Sequence, residues 1–157
     1  MDPLSIVASA ASILELGLKV SKGVNGVITT WKSAAPVIFA LHNEISDLNV
    51  VLDHLTHAWM SIHAKSRDNK HDRHFLKAFH LQLDQAEDVL GQIDREVQTL
   101  RAMNSFKMKF KWLSRNSRVA GMQSKLKDTR MRLGELMLAY NVYGPLRFDS
   151  VGRANLN

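Results

Sequence analysis

Apolar residues recur along most of this chain at alternating spacings of three and four, the period of helices that bury one face. Ile38, Leu41, Ile45, Leu48, Leu52, Leu55, Trp59 and Ile62 hold that spacing without a break. They predict a long helix over about 36–64 whose seam packs on its neighbours at a shallow angle, as in a coiled coil. Phe75, Phe79, Leu83, Ala86, Leu90, Ile93, Val97 and Leu100 repeat the seam, with Asp84, Glu87, Asp88, Asp94, Arg95 and Glu96 on the other faces. They predict a helix over about 72–103, capped by Asp72. Val119, Met122, Leu126, Thr129, Leu133, Leu136 and Tyr140 form a further series. It predicts a helix over about 115–141, from a cap at Ser114 or Ser117 to a stop at Gly144-Pro145.

The first thirty-one residues carry two apolar stripes instead of one. Leu4, Val7, Ala11, Leu14 and Leu18 make the first, and Ile6, Ala10, Ile13, Gly17, Val20, Val24, Val27 and Trp31 the second. Asp2 is placed to cap this helix, and Pro3 suits its first position, where a missing N–H does no harm. A helix over about 3–31 that is apolar on two faces belongs either at the centre of a bundle or in a membrane. The run Ser105 to Trp112 departs from the helical period, alternating Phe106, Met108, Phe110 and Trp112 with Lys107, Lys109 and Lys111. That is the period of a strand, but no second segment offers it a pairing partner, and an isolated strand is unstable. It reads as a short helix or an extended connector at one end of the bundle.

Together these segments predict an all-α fold: an antiparallel up-down bundle of four long helices with a short helical connector before the last. The bundle domain spans 1–142 and a flexible C-terminal tail spans 143–157. A chain of 157 residues buries enough surface to fold without a metal or disulfide staple, and it contains no cysteine. A cytoplasmic location is the expectation, because there is no positive n-region of a signal peptide and Glu15, Lys19 and Lys22 interrupt the first helix as a constitutive anchor.

Charge changes the picture in the last third. Formal net charge is −2 over residues 1–64, 0 over 65–104 and +8 over 105–157. Between residues 105 and 132, nine Lys and Arg face Asp128 alone. Such a field favours an anionic partner, a phospholipid surface or a nucleic acid. Catalytic chemistry is not legible. The phosphate-cradling Gly-rich loops and the Gly-x-Ser-x-Gly elbow are missing, and the neighbouring Glu87 and Asp88 point about 100° apart on a helix. His54, His57, His71 and His74 lack the partners of a zinc site and read as surface histidines near helix ends. The chain is therefore expected not to be an enzyme, with no cofactor, no metal and no small-molecule substrate. The tryptophans read as core, except that Trp112, set among lysines, suits a lipid head-group boundary.

The opening Met1-Asp2-Pro3-Leu4-Ser5-Ile6-Val7-Ala8-Ser9-Ala10-Ala11-Ser12-Ile13, the basic-aromatic run Lys107 to Trp112 and the Leu126/Leu133/Leu136 helix resemble the fungal N-terminal domain of STAND and NOD-like receptor proteins, the HeLo-like group. The resemblance covers about residues 1–142. It implies a helical bundle at the front of a receptor, or a free-standing partner of one, in fungal self/non-self signalling or programmed cell death. It also implies action by release of the first helix into a membrane.

The expected function is thus a signalling domain that oligomerises and associates with a membrane, moving from the cytoplasm to the plasma membrane on activation. Its expected partners are a NOD-like receptor or a second copy, together with an anionic membrane surface. The membrane-binding candidates are Leu4, Ile6, Val7, Ile13, Leu14, Leu18 and Val20 on the first helix, and Lys107, Lys109, Lys111, Trp112, Arg115 and Arg118. The alternatives are a protein–protein scaffold with its first helix permanently buried and, less favoured, a basic nucleic-acid-binding bundle.

Overall fold

The structure is a computed structural model that describes residues 3–31, 34, 36–63 and 72–153. At Pro3, 58–63, Asp72, Ser105 and 141–153 it describes the backbone alone, so the side chains of Trp59 and Ile62, and the whole of Asp2 and His71, lie outside the described residues. It contains four helices, α1 (Pro3–Thr30), α2 (Pro36–His63), α3 (Asp72–Arg101) and α4 (Ser105–Arg153). No strand occurs among the described residues.

The seams read from the sequence form one core. On α2, Ile38, Leu41, Ile45, Leu48, Leu52 and Leu55 are buried; on α3, Phe79, Leu83, Ala86, Leu90, Ile93, Val97 and Leu100 join them. From α4 come Val119, Met122, Leu126, Thr129, Leu133 and Tyr140. Packing pairs α1 with α2, α1 with α3, α2 with α4 and α3 with α4, as in a bundle. Of the two stripes on α1, the one through Ile6, Ala10, Ile13, Val20, Val24, Val27 and Trp31 enters the core. The other is half-buried at Val7 and Leu14 and exposed at Leu4 and Leu18.

At two positions on α1 a Cβ would crowd a side chain of the neighbouring helix. A Cβ at Gly17 would lie 2.0 Å from Asn49 Oδ1 on α2, and one at Gly23 would lie 2.7 Å from Val97 Cγ1 on α3. The missing Cβ atoms are what let α1 sit close to both neighbours at once. Polar contacts add to the seating. Ser5 Oγ hydrogen-bonds His80 Nε2 at 3.0 Å, Lys19 Nζ donates to Asp94 Oδ2 at 3.0 Å, and Ser21 Oγ bonds His42 Nε2 at 3.3 Å.

α4 differs from expectation at both ends. No separate connector precedes it, because the helix begins at Ser105 and includes the whole Lys-aromatic run. Its cap is Asn104: the side-chain Oδ1 accepts the Lys107 N–H at 2.9 Å, and the carbonyl accepts the Met108 N–H at 3.0 Å. Ser114 does not cap anything, since its hydroxyl donates back to the Lys111 carbonyl at 2.8 Å in mid-helix. The strand-like alternation resolves into two i, i+4 pairs on different faces, Met108 and Trp112 inward and Phe106 and Phe110 outward. At the other end α4 continues to Arg153 through the expected Gly144-Pro145 stop. Pro145 removes one backbone donor, while the residues on either side keep helical backbone. The segment expected to be a flexible tail is therefore helical as far as Arg153, and 154–157 lie outside the described residues.

Candidate functional site

The candidate residues divide into a buried group and a surface group. Ile6, Ile13 and Val20 are core, packed under α2 and α3, while Leu4 and Leu18 face outward and Val7 and Leu14 are intermediate. By length and composition, Leu4–Thr30 is long and apolar enough to cross a membrane, a test that the core helix of a soluble protein also passes. Glu15, Lys19 and Lys22 lie within that stretch. Lys19 is also committed elsewhere, to Asp94.

On α4 the structure separates residues that the sequence grouped together. Trp112 is 4% exposed and meets Trp31 edge-on, with ring centroids 6.4 Å apart, so it joins the end of α1 to the start of α4 inside the core. It does not sit at the surface, because it lies on the inward face of α4, the face that also carries Met108. Arg115 and Arg118 both bind Glu96 of α3, Arg118 Nη1 to Oε1 at 3.3 Å and Arg115 to the other oxygen, Oε2. The Glu96 side chain is mostly buried, so this arginine pair clamps α4 to α3. A second clamp joins Arg130 to the buried Glu44 of α2. That hydrogen bond to the Glu44 carboxylate, outweighing the effect of burial, holds the Arg130 guanidinium above its ordinary range.

Lys107 and Lys109 are exposed, and Lys111 is intermediate. Between them stand three apolar side chains that the sequence reading did not choose as site residues: Phe106, Phe110 and Leu113, at 71%, 63% and 67% exposure. The signal was present in their i, i+4, i+7 spacing, masked by the period-2 alternation with lysine.

The histidines divide in a similar way. His54, His57 and His74 are exposed, whereas His42 and His80, which the sequence reading did not single out, hold α1 serines. Among the described residues no three His, Asp or Glu side chains gather where they could hold a metal. A groove of about 290 Å³ between α3 and α4 is lined by Asp88, Asp128, Lys125 and Arg132, charges of both signs beside one another.

No protein-family model, curated protein or solved structure matches this chain.

Proposed function

We infer that this chain is a non-enzymatic signalling domain of the HeLo-like kind, a fungal cell-death-type effector acting through oligomerisation and membrane association of α1. In this reading the helices alternate up and down. Ser5 and Lys19 of α1 meet His80 and Asp94 of α3 in rising order, while Ser21 and Gly17 meet His42 and Asn49 of α2 in opposing order. The domain waits in the cytoplasm, its partner is a NOD-like receptor or a second copy, and activation frees α1 for the plasma membrane.

One observation carries the reading. α1 is long and apolar enough to span a bilayer, and its ties to other helices among the described residues include two Ser–His bonds and an exposed Lys–Asp pair. α4, in contrast, is held by arginines on mostly buried carboxylates. Exposed ion pairs contribute about 0–1 kcal/mol, so the Lys19–Asp94 pair adds little to the hold on α1.

The test is a reversible lock. A Cβ at Gly17 would lie 3.1 Å from Asn49 Cγ, a separation that suits a disulfide in the double variant Gly17→Cys, Asn49→Cys. On phosphatidylcholine–phosphatidylserine vesicles, the reduced protein should release an encapsulated dye, and the oxidised protein should not. If neither the reduced nor the wild-type protein releases dye while the domain self-associates or captures a receptor, the scaffold reading, favoured by the burial of Ile6, Ile13 and Val20, replaces this one.

A further inference from the structure

The outward face of the first turns of α4 serves neither the core nor the clamps. On a helix turning about 100° per residue, Phe106, Phe110 and Leu113 fall within about 60° of arc, roughly 150° from the inward-facing Met108, Trp112 and Val119. Lys109 flanks this ridge on one side and Lys107 on the other, with the half-buried Lys111 farther round beyond Lys107. The rings of Phe106 and Phe110 touch edge-to-face, their centroids 5.1 Å apart, so the ridge is a packed unit. Other large apolar side chains exposed among the described residues, such as Phe39 and Val50 on α2 or Met131 and Leu138 on α4, stand about two turns apart or more. Isolated exposure of that kind is ordinary, whereas a contiguous apolar patch marks an interaction site.

We propose that this ridge is a peripheral docking surface for an anionic lipid bilayer, used while the bundle is folded. Phe106, Phe110 and Leu113 enter the acyl boundary, and Lys107, Lys109 and Lys111 lay their stems along it with their ammonium groups among the head groups. The proposal rests on the reading that the domain works at a membrane, but it does not need α1 to leave the bundle.

Charge selects the occupant. The surrounding segment carries nine Lys and Arg against Asp128, and with Arg115 and Arg118 taken by Glu96 the lysines beside the ridge supply the attraction. A second copy placed ridge to ridge would bring lysine against lysine. Single-stranded nucleic acid is read by flat ring faces along a groove. Here the rings lie 61° to one another on a convex helix, and Leu113 has no face to stack on.

The chain has no cysteine, so a single one takes a unique label. An environment-sensitive fluorophore on Phe110→Cys should shift to the blue with phosphatidylcholine–phosphatidylserine vesicles and not with phosphatidylcholine alone. The same label on Leu81→Cys, an exposed position of α3, should stay unchanged. In unlabelled protein, Phe106→Ser with Phe110→Ser and Leu113→Ser should lower partitioning onto the anionic vesicles at least about tenfold. Lys107→Gln with Lys109→Gln and Lys111→Gln should lower it by roughly fivefold per lysine and flatten its salt dependence. Circular dichroism should report the same helical fold for both triple variants. If wild type binds and the serine variant binds equally well, or the label at 110 stays in water, the ridge is overturned while the membrane reading stands. If wild type ignores anionic vesicles, both fall. A label at 110 that shifts with a single-stranded oligonucleotide and not with vesicles makes nucleic acid the occupant and overturns the proposal.

Discussion

α1 and the first turns of α4 are both apolar on two faces, and the bundle treats them in opposite ways. α1 has neighbours on two sides, and Gly17 and Gly23 let them approach so closely that its second stripe is half-covered at Val7 and Leu14. α4 buries Met108 and Trp112 but leaves Phe106, Phe110 and Leu113 in solvent, with lysine after each phenylalanine. What separates the two is the filling between apolar positions. Small residues admit a neighbouring helix; long charged ones keep it away. Two apolar stripes therefore mean two packing partners in one case and one partner plus an open surface in the other.

The sharpest way to break this comparison is to place the same charge on each helix. Val20 is fully buried on α1, so Val20→Glu should cost at least about 4 kcal/mol in urea denaturation, whereas Phe110→Glu should stay within about 0.5 kcal/mol of wild type. Equal losses would mean that the ridge on α4 is packed against something. Next in size are Leu52→Ala and Leu90→Ala, on fully buried positions of α2 and α3, each expected to cost about 2–5 kcal/mol by the same measurement. His54→Ala, on an exposed position, should change the midpoint little.

The contrast between clamped α4 and lightly tied α1 is sharpened by Arg130→Ala and Lys19→Ala. The first leaves the Glu44 carboxylate buried without its partner and should cost about 2–3 kcal/mol; the second removes an exposed pair and should cost about 0–1 kcal/mol. The Arg130 guanidinium is held above its ordinary range, so its contribution is fully present below that range and is lost only as pH rises past it. The Arg130→Ala penalty should therefore be flat across neutral and mildly alkaline pH, which denaturation at a series of pH values would check.

The seams were legible because nothing competes with a three-four spacing of Ile and Leu over seven turns, and Ile38 through Leu55 are buried as their spacing requires. The start of α4 was not legible. Its alternation of Lys with Phe, Met and Trp satisfies a strand period and a pair of helical faces equally well, and only the neighbouring helices decide between them. Asn104 as its cap could have been found, being a good capping residue three positions before Lys107, but Ser114 and Ser117 stood nearer the apolar series. Of the candidate site, the basic residues were visible in the sequence, but their division into clamp and surface was not. Whether Arg115 and Arg118 face a lipid or Glu96 depends on a residue nineteen positions away from Arg115 and on another helix.

The contacts of α1 with α3 also bear on how the chain is made. Ser5 finds His80 and Lys19 finds Asp94 at a constant separation of 75 residues. The most apolar of the four helices is translated before the other three, and part of its packing depends on a partner that follows 75 residues later. At about 5–20 residues per second, that interval is roughly 4–15 s. Over that interval Val24 and Val27 exist without Ile93 and Val97, the α3 residues beside them in the finished core, so synthesis of this protein includes a window in which only the second helix is at hand to cover the first.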